Sequence, residues 1–191
     1  MQKKLPIHHV SVRKLYPSKN LFTSLTRSII CQQISGKAAQ SIEKKFVAYF
    51  PVKHFPKPVD IMSMTDDAFQ SVGISPQKRS YLRDLAQKWT DGTVRHKKLV
   101  NMSDDEVRSH LIIIKGIGNW TIDMFLIFAL NRLNILPTGD LGVQKGFQKI
   151  FKLKTLPDEI KIKKLAKSYD GEYTQLSLYA WSVLDNNTET M

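Results

Sequence analysis

The sequence predicts an all-α protein. Apolar residues recur at intervals of three and four in segment after segment, the spacing of one helix face. Residues that cap helices stand at the start of most of these segments, and the period-two alternation of strands is scarce.

Asn20 can cap a helix carrying Leu21, Phe22, Leu25 and Ile29. Ser35 can cap the next, with Ala39, Ile42, Phe46 and Phe50 on one face, before Pro51, Pro56 and Pro58 break the pattern. Thr65 with Asp66 and Asp67 opens a short helix that Gly73 ends. Pro76 suits a first helical position and is followed by Leu82, Leu85 and Trp89. Ser103 and Glu106 have the spacing of a capping box, with Val107, Leu111 and Ile114 as the buried stripe. From Trp120 to Leu130 the chain is apolar nearly all round, which predicts a helix covered on every side. Further helices begin near Asp140 and at Pro157–Glu159, and an aromatic one spans about Glu172 to Leu184. The first twenty residues and Asn186 to Met191 are the expected loose ends.

Composition bounds the function. The 191 residues, 42% hydrophobic, suffice for one domain or two lobes with a sizeable core. Lys plus Arg number 29 against 17 Asp plus Glu, a net charge of +12 spread along the chain, which favours a polyanionic partner, nucleic acid before membrane. A single cysteine, Cys31, excludes an internal disulfide framework and a four-thiolate cluster, and indicates a reducing compartment. Cys31 itself reads as a small buried hydrophobe. There is no bilayer-length apolar run, no export signal and no metal-ligand spacing among His8, His9, His54, His96 and His110.

Two features carry chemistry. Lys115-Gly116-Ile117-Gly118-Asn119-Trp120-Thr121 joins two helices. Its glycines allow a tight turn and close main-chain approach, and the next helix offers its first N–H groups to a phosphate. An ordinary helix connection accounts for the same residues. Asp140 lies 22 residues beyond Gly118, in Pro137-Thr138-Gly139-Asp140. As an N-cap it is held by the helix dipole, which suits both a structural role and a carboxylate facing a developing cation.

Gly116-Ile117-Gly118 with Trp120-Thr121, the apolar helix and the Pro137–Asp140 loop together resemble the helix–hairpin–helix DNA glycosylase superfamily. Leu25 to Ser35, ending Cys31-Gln32-Gln33-Ile34-Ser35, and Gly73-Ile74-Ser75 with Lys78 are similar to its 3-methyladenine DNA glycosylase II branch. The resemblance runs from about Asn20 to Leu184. It implies one domain over 1–191, with helical lobes of about 1–30 plus 120–191 and 31–119, and a DNA-binding cleft between them. It leaves no room for the N-terminal β lobe of longer relatives.

The resemblance also implies site residues. Asp140 matches the catalytic aspartate; Trp120 and Trp181 are the candidates for an aromatic slot for the base, Trp181 matching an aromatic family position beside the aspartate, and core packing is the other account of both. Gln33 matches the side chain inserted where a nucleotide is flipped out. Ser35 matches a minor-groove contact, with helix capping an equal account. Gly116, Gly118, Thr121 and Lys115 match the phosphate-binding hairpin. The carbonyls of Ile112, Ile114 and Ile117 match a structural monovalent cation site, sodium or potassium; no other cofactor is required.

Bifunctional relatives carry a lysine where Trp120 stands, so simple hydrolysis without lyase activity is expected. The expected partner is double-stranded DNA containing damaged bases, bound by a monomer at a cytoplasmic nucleoid or in a nucleus. The alternative is a DNA-binding, lesion-sensing protein with weak or lost catalysis. One departure motivates it: relatives often read Trp-x-Pro-Tyr-Arg-Thr before the last tryptophan, and this chain reads Tyr169-Asp170-Gly171-Glu172-Tyr173-Thr174.

Overall fold

A computed structural model describes residues 5–7, 20–51 and 55–185. Helices α1 (Leu21–Cys31), α2 (Gly36–Ala48), α3 (Pro58–Met62), α4 (Asp66–Ser71), α5 (Pro76–Thr90), α6 (Asp104–Leu111), α7 (Asn119–Phe128), α8 (Leu141–Ile150), α9 (Glu159–Ala166) and α10 (Tyr173–Asp185) follow in order, with no strand among the described residues. None of these helices is long and apolar enough to cross a membrane.

The caps form as the sequence predicts. Asn20, Ser35, Thr65, Asp140 and Asp158 each accept a main-chain N–H three residues on. Ser103 and Glu106 exchange both bonds of a capping box. Helix α3 is an addition. Pro58 is its first residue and the Asp60 carboxylate accepts the Lys57 N–H at 2.8 Å, so a proline read as a breaker is instead a starter. A 3₁₀ turn at His96–Asn101 was also not foreseen.

The chain divides into two compact units. One comprises Ser18–Phe125; the other comprises the described residues within Met1–Pro17 and Leu126–Met191. The divisions fall at 17/18 and 125/126, whereas the sequence reading placed them near 30/31 and 119/120, so α1 belongs with α2–α6. In the first unit α5 packs on α1 and α3. Phe22, Leu25, Ile29, Leu82 and Leu85 are buried there, and Phe22 meets Trp89 with ring centroids 5.4 Å apart. Arg108 of α6 pairs with Asp123 of α7, an ion pair largely out of solvent that ties the helices flanking the glycine turn.

In the second unit α8 and α10 pack most closely. Gly146 makes this possible, since a Cβ there would stand 2.3 Å from the Ala180 carbonyl oxygen. Val143, Phe147, Ile162, Leu176 and Ala180 form the core with Ile7. Residues 5–7 are fastened: Leu5 N–H donates to the Tyr169 hydroxyl at 2.8 Å and Gln175 Nε2 to the Ile7 carbonyl at 2.6 Å. Apart from these and residue 20, the expected loose ends lie outside the described residues.

Two burial expectations are corrected. Cys31 is exposed, because α1 ends at it. Helix α7 is not covered all round: Ile122, Phe125, Leu126 and Ile127 are buried, but Trp120 is 50% and Phe128 47% exposed. The helix also stops at Phe128, two residues short of the expected Leu130. Arg132 N–H reaches back to the Leu126 carbonyl at 2.9 Å, and Asn131 takes φ +55°, the left-handed residue that closes a helix.

Neither polar atom of the Asn131 amide has a hydrogen-bond partner although both are buried. Glycine removes both this burial cost and the left-handed strain, against a smaller loss of unfolded-state rigidity. Asn131→Gly is expected to stabilise the protein by about 0.5–1 kcal/mol, read as a higher midpoint in thermal unfolding. A lower midpoint would contradict this account.

Candidate functional site

The first unit carries the glycine turn. Gly116 has φ +77° and lies against Tyr81, so that a Cβ would stand 2.1 Å from the tyrosine ring. Gln32 Nε2 donates to the Gly116 carbonyl at 2.8 Å. Gly118 differs: its φ is not left-handed, and beyond its chain neighbours no atom of the described residues lies within 4 Å of a Cβ built on it. Neither backbone conformation nor side-chain packing therefore requires a glycine at this position. Its carbonyl accepts the Ile122 N–H at 3.0 Å, making Gly118 the cap of α7. The first-turn N–H groups of such a helix have no acceptor within it and favour an anion.

An open cavity of roughly 710 Å³ gathers Gln33, Ser35, Gly116, Trp120 and Thr121 with Gln32, Tyr81 and Lys78. Gln33 is exposed with φ +57°, in the turn between α1 and α2. Ser35 is exposed and caps α2, accepting the Ala38 N–H at 3.4 Å. Thr121 is buried, so what it can offer a ligand is its main-chain N–H. Lys78 Nζ donates to the Ile30 carbonyl at 2.6 Å, and partial burial holds its ammonium below the usual lysine range. Desolvation, then the nearby Glu43 carboxylate, pushes the Cys31 thiol up, away from a reactive thiolate.

Lys115 is not part of this group. Its N–H is taken by the Asp84 carboxylate at 2.8 Å, and the residue lines a separate cavity with Arg79 and Arg83. Ile112 caps the end of α6, and the Ile114 carbonyl accepts the Ile117 N–H at 3.1 Å.

The second unit carries Asp140. The aspartate is half-buried, and its Oδ1 accepts two hydrogen bonds of 2.8 Å, from the Val143 N–H and from Trp181 Nε1–H. One donor comes from the helix that Asp140 caps and the other from α10, so the carboxylate is fixed from two elements. Trp181 stacks on Phe128 with centroids 6.0 Å apart and planes 24° from parallel. The loop before Asp140 is fastened too: Thr138 Oγ1 donates to Glu159 and its carbonyl accepts from Gln144 Nε2.

Sequence reasoning missed Gly142, Phe128 and Gln32. A Cβ at Gly142 would stand 2.8 Å from Trp181 Cδ1 and 2.9 Å from Asp140 Oδ1, so this glycine admits the tryptophan to the carboxylate. Two glycines four apart in one helix, Gly142 and Gly146, were the available signal. Phe128 was hidden by its apolar neighbours, and nothing local distinguishes Gln32.

Several known proteins are similar to this chain. DNA-3-methyladenine glycosylase 1 of Schizosaccharomyces pombe is 30% identical over 164 residues, which cover 85% of this chain and 72% of that protein. The structure of the Schizosaccharomyces pombe 3-methyladenine DNA glycosylase in complex with abasic DNA superposes with a TM-score of 0.78 at 29% identity, over 86% of this chain and 81% of that one. A DNA-3-methyladenine glycosidase from Bacillus halodurans superposes with a TM-score of 0.81 at 30% identity, over 93% and 81% of the two chains. The family model that matches residues 26–169 is that of the HhH-GPD superfamily base excision DNA repair proteins, and the chain belongs to that family.

Proposed function

We propose that this protein is a DNA glycosylase that hydrolyses the N-glycosidic bond of alkylated purines, of the 3-methyladenine and 7-methylguanine type, and leaves an abasic site. The observation that carries the reading is the Asp140 carboxylate, fixed through Oδ1 by Val143 and by Trp181.

Alkylation at N3 or N7 gives the purine a positive charge, so the base departs with the glycosidic electron pair and needs no strong acid to protonate it. The sugar is left as an oxocarbenium-like cation. A carboxylate that is already oriented stabilises this charge without reorganising. Water then adds to the anomeric carbon and loses its proton to solvent. Trp181 has a second use, because a cationic base attracts an aromatic face by about 0.5–2 kcal/mol. Phe128, stacked on Trp181 and half-exposed, extends that aromatic surface.

The target atom is out of reach inside a duplex, so the nucleotide is rotated out. Gln33 is the side chain to occupy the space left, and the main chain from Gly116 to Thr121 is the phosphate grip. The hairpin suits sodium or potassium: Ile112, Ile114 and Ile117 offer neutral main-chain oxygens, the donor type such ions take. The Ile114 oxygen, which takes one N–H, keeps a second lone pair. Bound there, the ion would brace the turn against a phosphate. DNA with damaged bases is the partner, and one copy of the chain carries every residue used.

The lesion-sensing alternative rests on the Tyr169–Thr174 departure. That segment leaves both bonds to Asp140 Oδ1 in place, which favours the enzyme.

Asp140→Asn is a clean test, because asparagine caps helices well and its oxygen can still accept both hydrogen bonds. Release of methylated purines is expected to fall roughly a hundredfold or more, with binding to abasic DNA retained. Equal release by the two proteins would sink the proposal. Gly142→Ala pushes Trp181 and the carboxylate apart without removing either. Its single-turnover rate is expected to drop about tenfold or more while far-ultraviolet circular dichroism stays the same. An unchanged rate would contradict the fixed-carboxylate account. Borohydride is expected to trap no covalent protein–DNA adduct, and efficient trapping would refute hydrolysis without lyase chemistry.

A further inference from the structure

Gln33 holds φ +57°, a left-handed conformation that is strained for a residue with a side chain. Such strain persists only where the surroundings over-determine it. Two long-range bonds do so. Lys78 Nζ grips the Ile30 carbonyl in the last turn of α1, three residues before Gln33. From the adjacent residue, Gln32 Nε2 reaches 84 residues along the chain to the Gly116 carbonyl at 2.8 Å. Gly116 is itself seated on the Tyr81 ring, and the Tyr81 hydroxyl accepts from Gln77 Nε2 at 2.7 Å. The Gly116 end of this link is therefore a fixed point.

We infer that Gln32 is a positioning residue that joins the Gln33 turn to the glycine hairpin, so that the group entering the duplex and the group gripping the phosphate act as one body. The inference rests on the DNA-repair reading above and adds to it a residue that touches neither base nor phosphate. Its consequence is specific. Loss of the amide donor frees the Gln33 turn to relax, and preference for a gapped duplex over an intact one is lost with it.

The test measures binding of the full chain to a duplex with a tetrahydrofuran abasic analogue and to the same duplex undamaged. Gln32→Met removes the donor at similar length, and Gln32→Glu removes it at the same shape. Each is expected to lower the ratio of the two affinities about three- to tenfold, the range of one hydrogen bond. In single-turnover base release, the enzyme concentration giving half the maximal rate should rise more than the maximal rate falls. A fold defect alone would not change the affinity ratio, and a thermal melt of each variant checks for one. A ratio unchanged in both variants overturns the inference and leaves the functional reading standing. No abasic preference in the wild type overturns the two together.

Discussion

Two N–H donors converge on a single oxygen of Asp140, and the arrangement of the second unit depends on that convergence. The Val143 bond comes free with helix capping, since any aspartate at the start of α8 would make it. The Trp181 bond does not. It requires α10 to approach α8 within the width of a missing side chain, and Gly142 and Gly146 supply that space at two successive turns. The consequence is a carboxylate whose direction is set by tertiary packing instead of by its own rotamer preference. In the proposed reaction this orientation is an advantage, because a free side chain would have to be ordered as the charge develops.

The hairpin solves a different problem with the same residue type. Gly116 is needed by the protein, for a left-handed turn pressed onto Tyr81. Gly118 has no such constraint among the described residues, and the space beside it is open. One glycine builds the turn and the other leaves its main chain bare at the start of α7. That separation of roles explains why the pair brackets an apolar residue: Ile117 is buried and anchors the turn between them.

Much of this was legible in the sequence, and the limits have physical causes. Caps are local, so Asn20, Ser35, Thr65, Ser103, Asp140 and Asp158 could be placed from short stretches of chain, and so could the apolar stripes behind them. The hairpin and Asp140 stand out by their own residues, and Trp181 and Gln33 are singled out by resemblance to a known pattern. What escaped was set by partners distant in sequence. An apolar run gives no sign of which residue stays uncovered, and so the pattern reads Phe128 as interior and leaves Trp120 between the core and an aromatic slot, whereas both are half-exposed. Cys31 was misplaced because burial at a helix end depends on where the helix stops. Pro58 was read as a breaker although the same ring starts a helix equally well. Gln32 bonds across 84 residues, and no local feature announces it.

The segment that departs from the family pattern shows how such a change is absorbed. With no proline or arginine in it, Tyr169–Thr174 turns at Gly171, φ +88°, and is fastened by Asn134. The Asn134 Oδ1 accepts the Gly171 N–H at 2.9 Å and its Nδ2 donates to Asp170 at 3.1 Å. Thr174 adds to the seam: its hydroxyl donates to the Arg132 carbonyl at 2.6 Å and accepts the Ile135 N–H, while its own N–H reaches Leu133. Ser177, one turn on, donates to the Ile135 carbonyl at 3.2 Å. The start of α10 is thus bound to residues 132–135, and Trp181, four residues beyond Ser177, meets the carboxylate of Asp140, five residues beyond Ile135. The substituted residues set where α10 begins, and the position of Trp181 against Asp140 follows from that, so the departure changes how the scaffold is tied and leaves the Trp181–Asp140 bond in place.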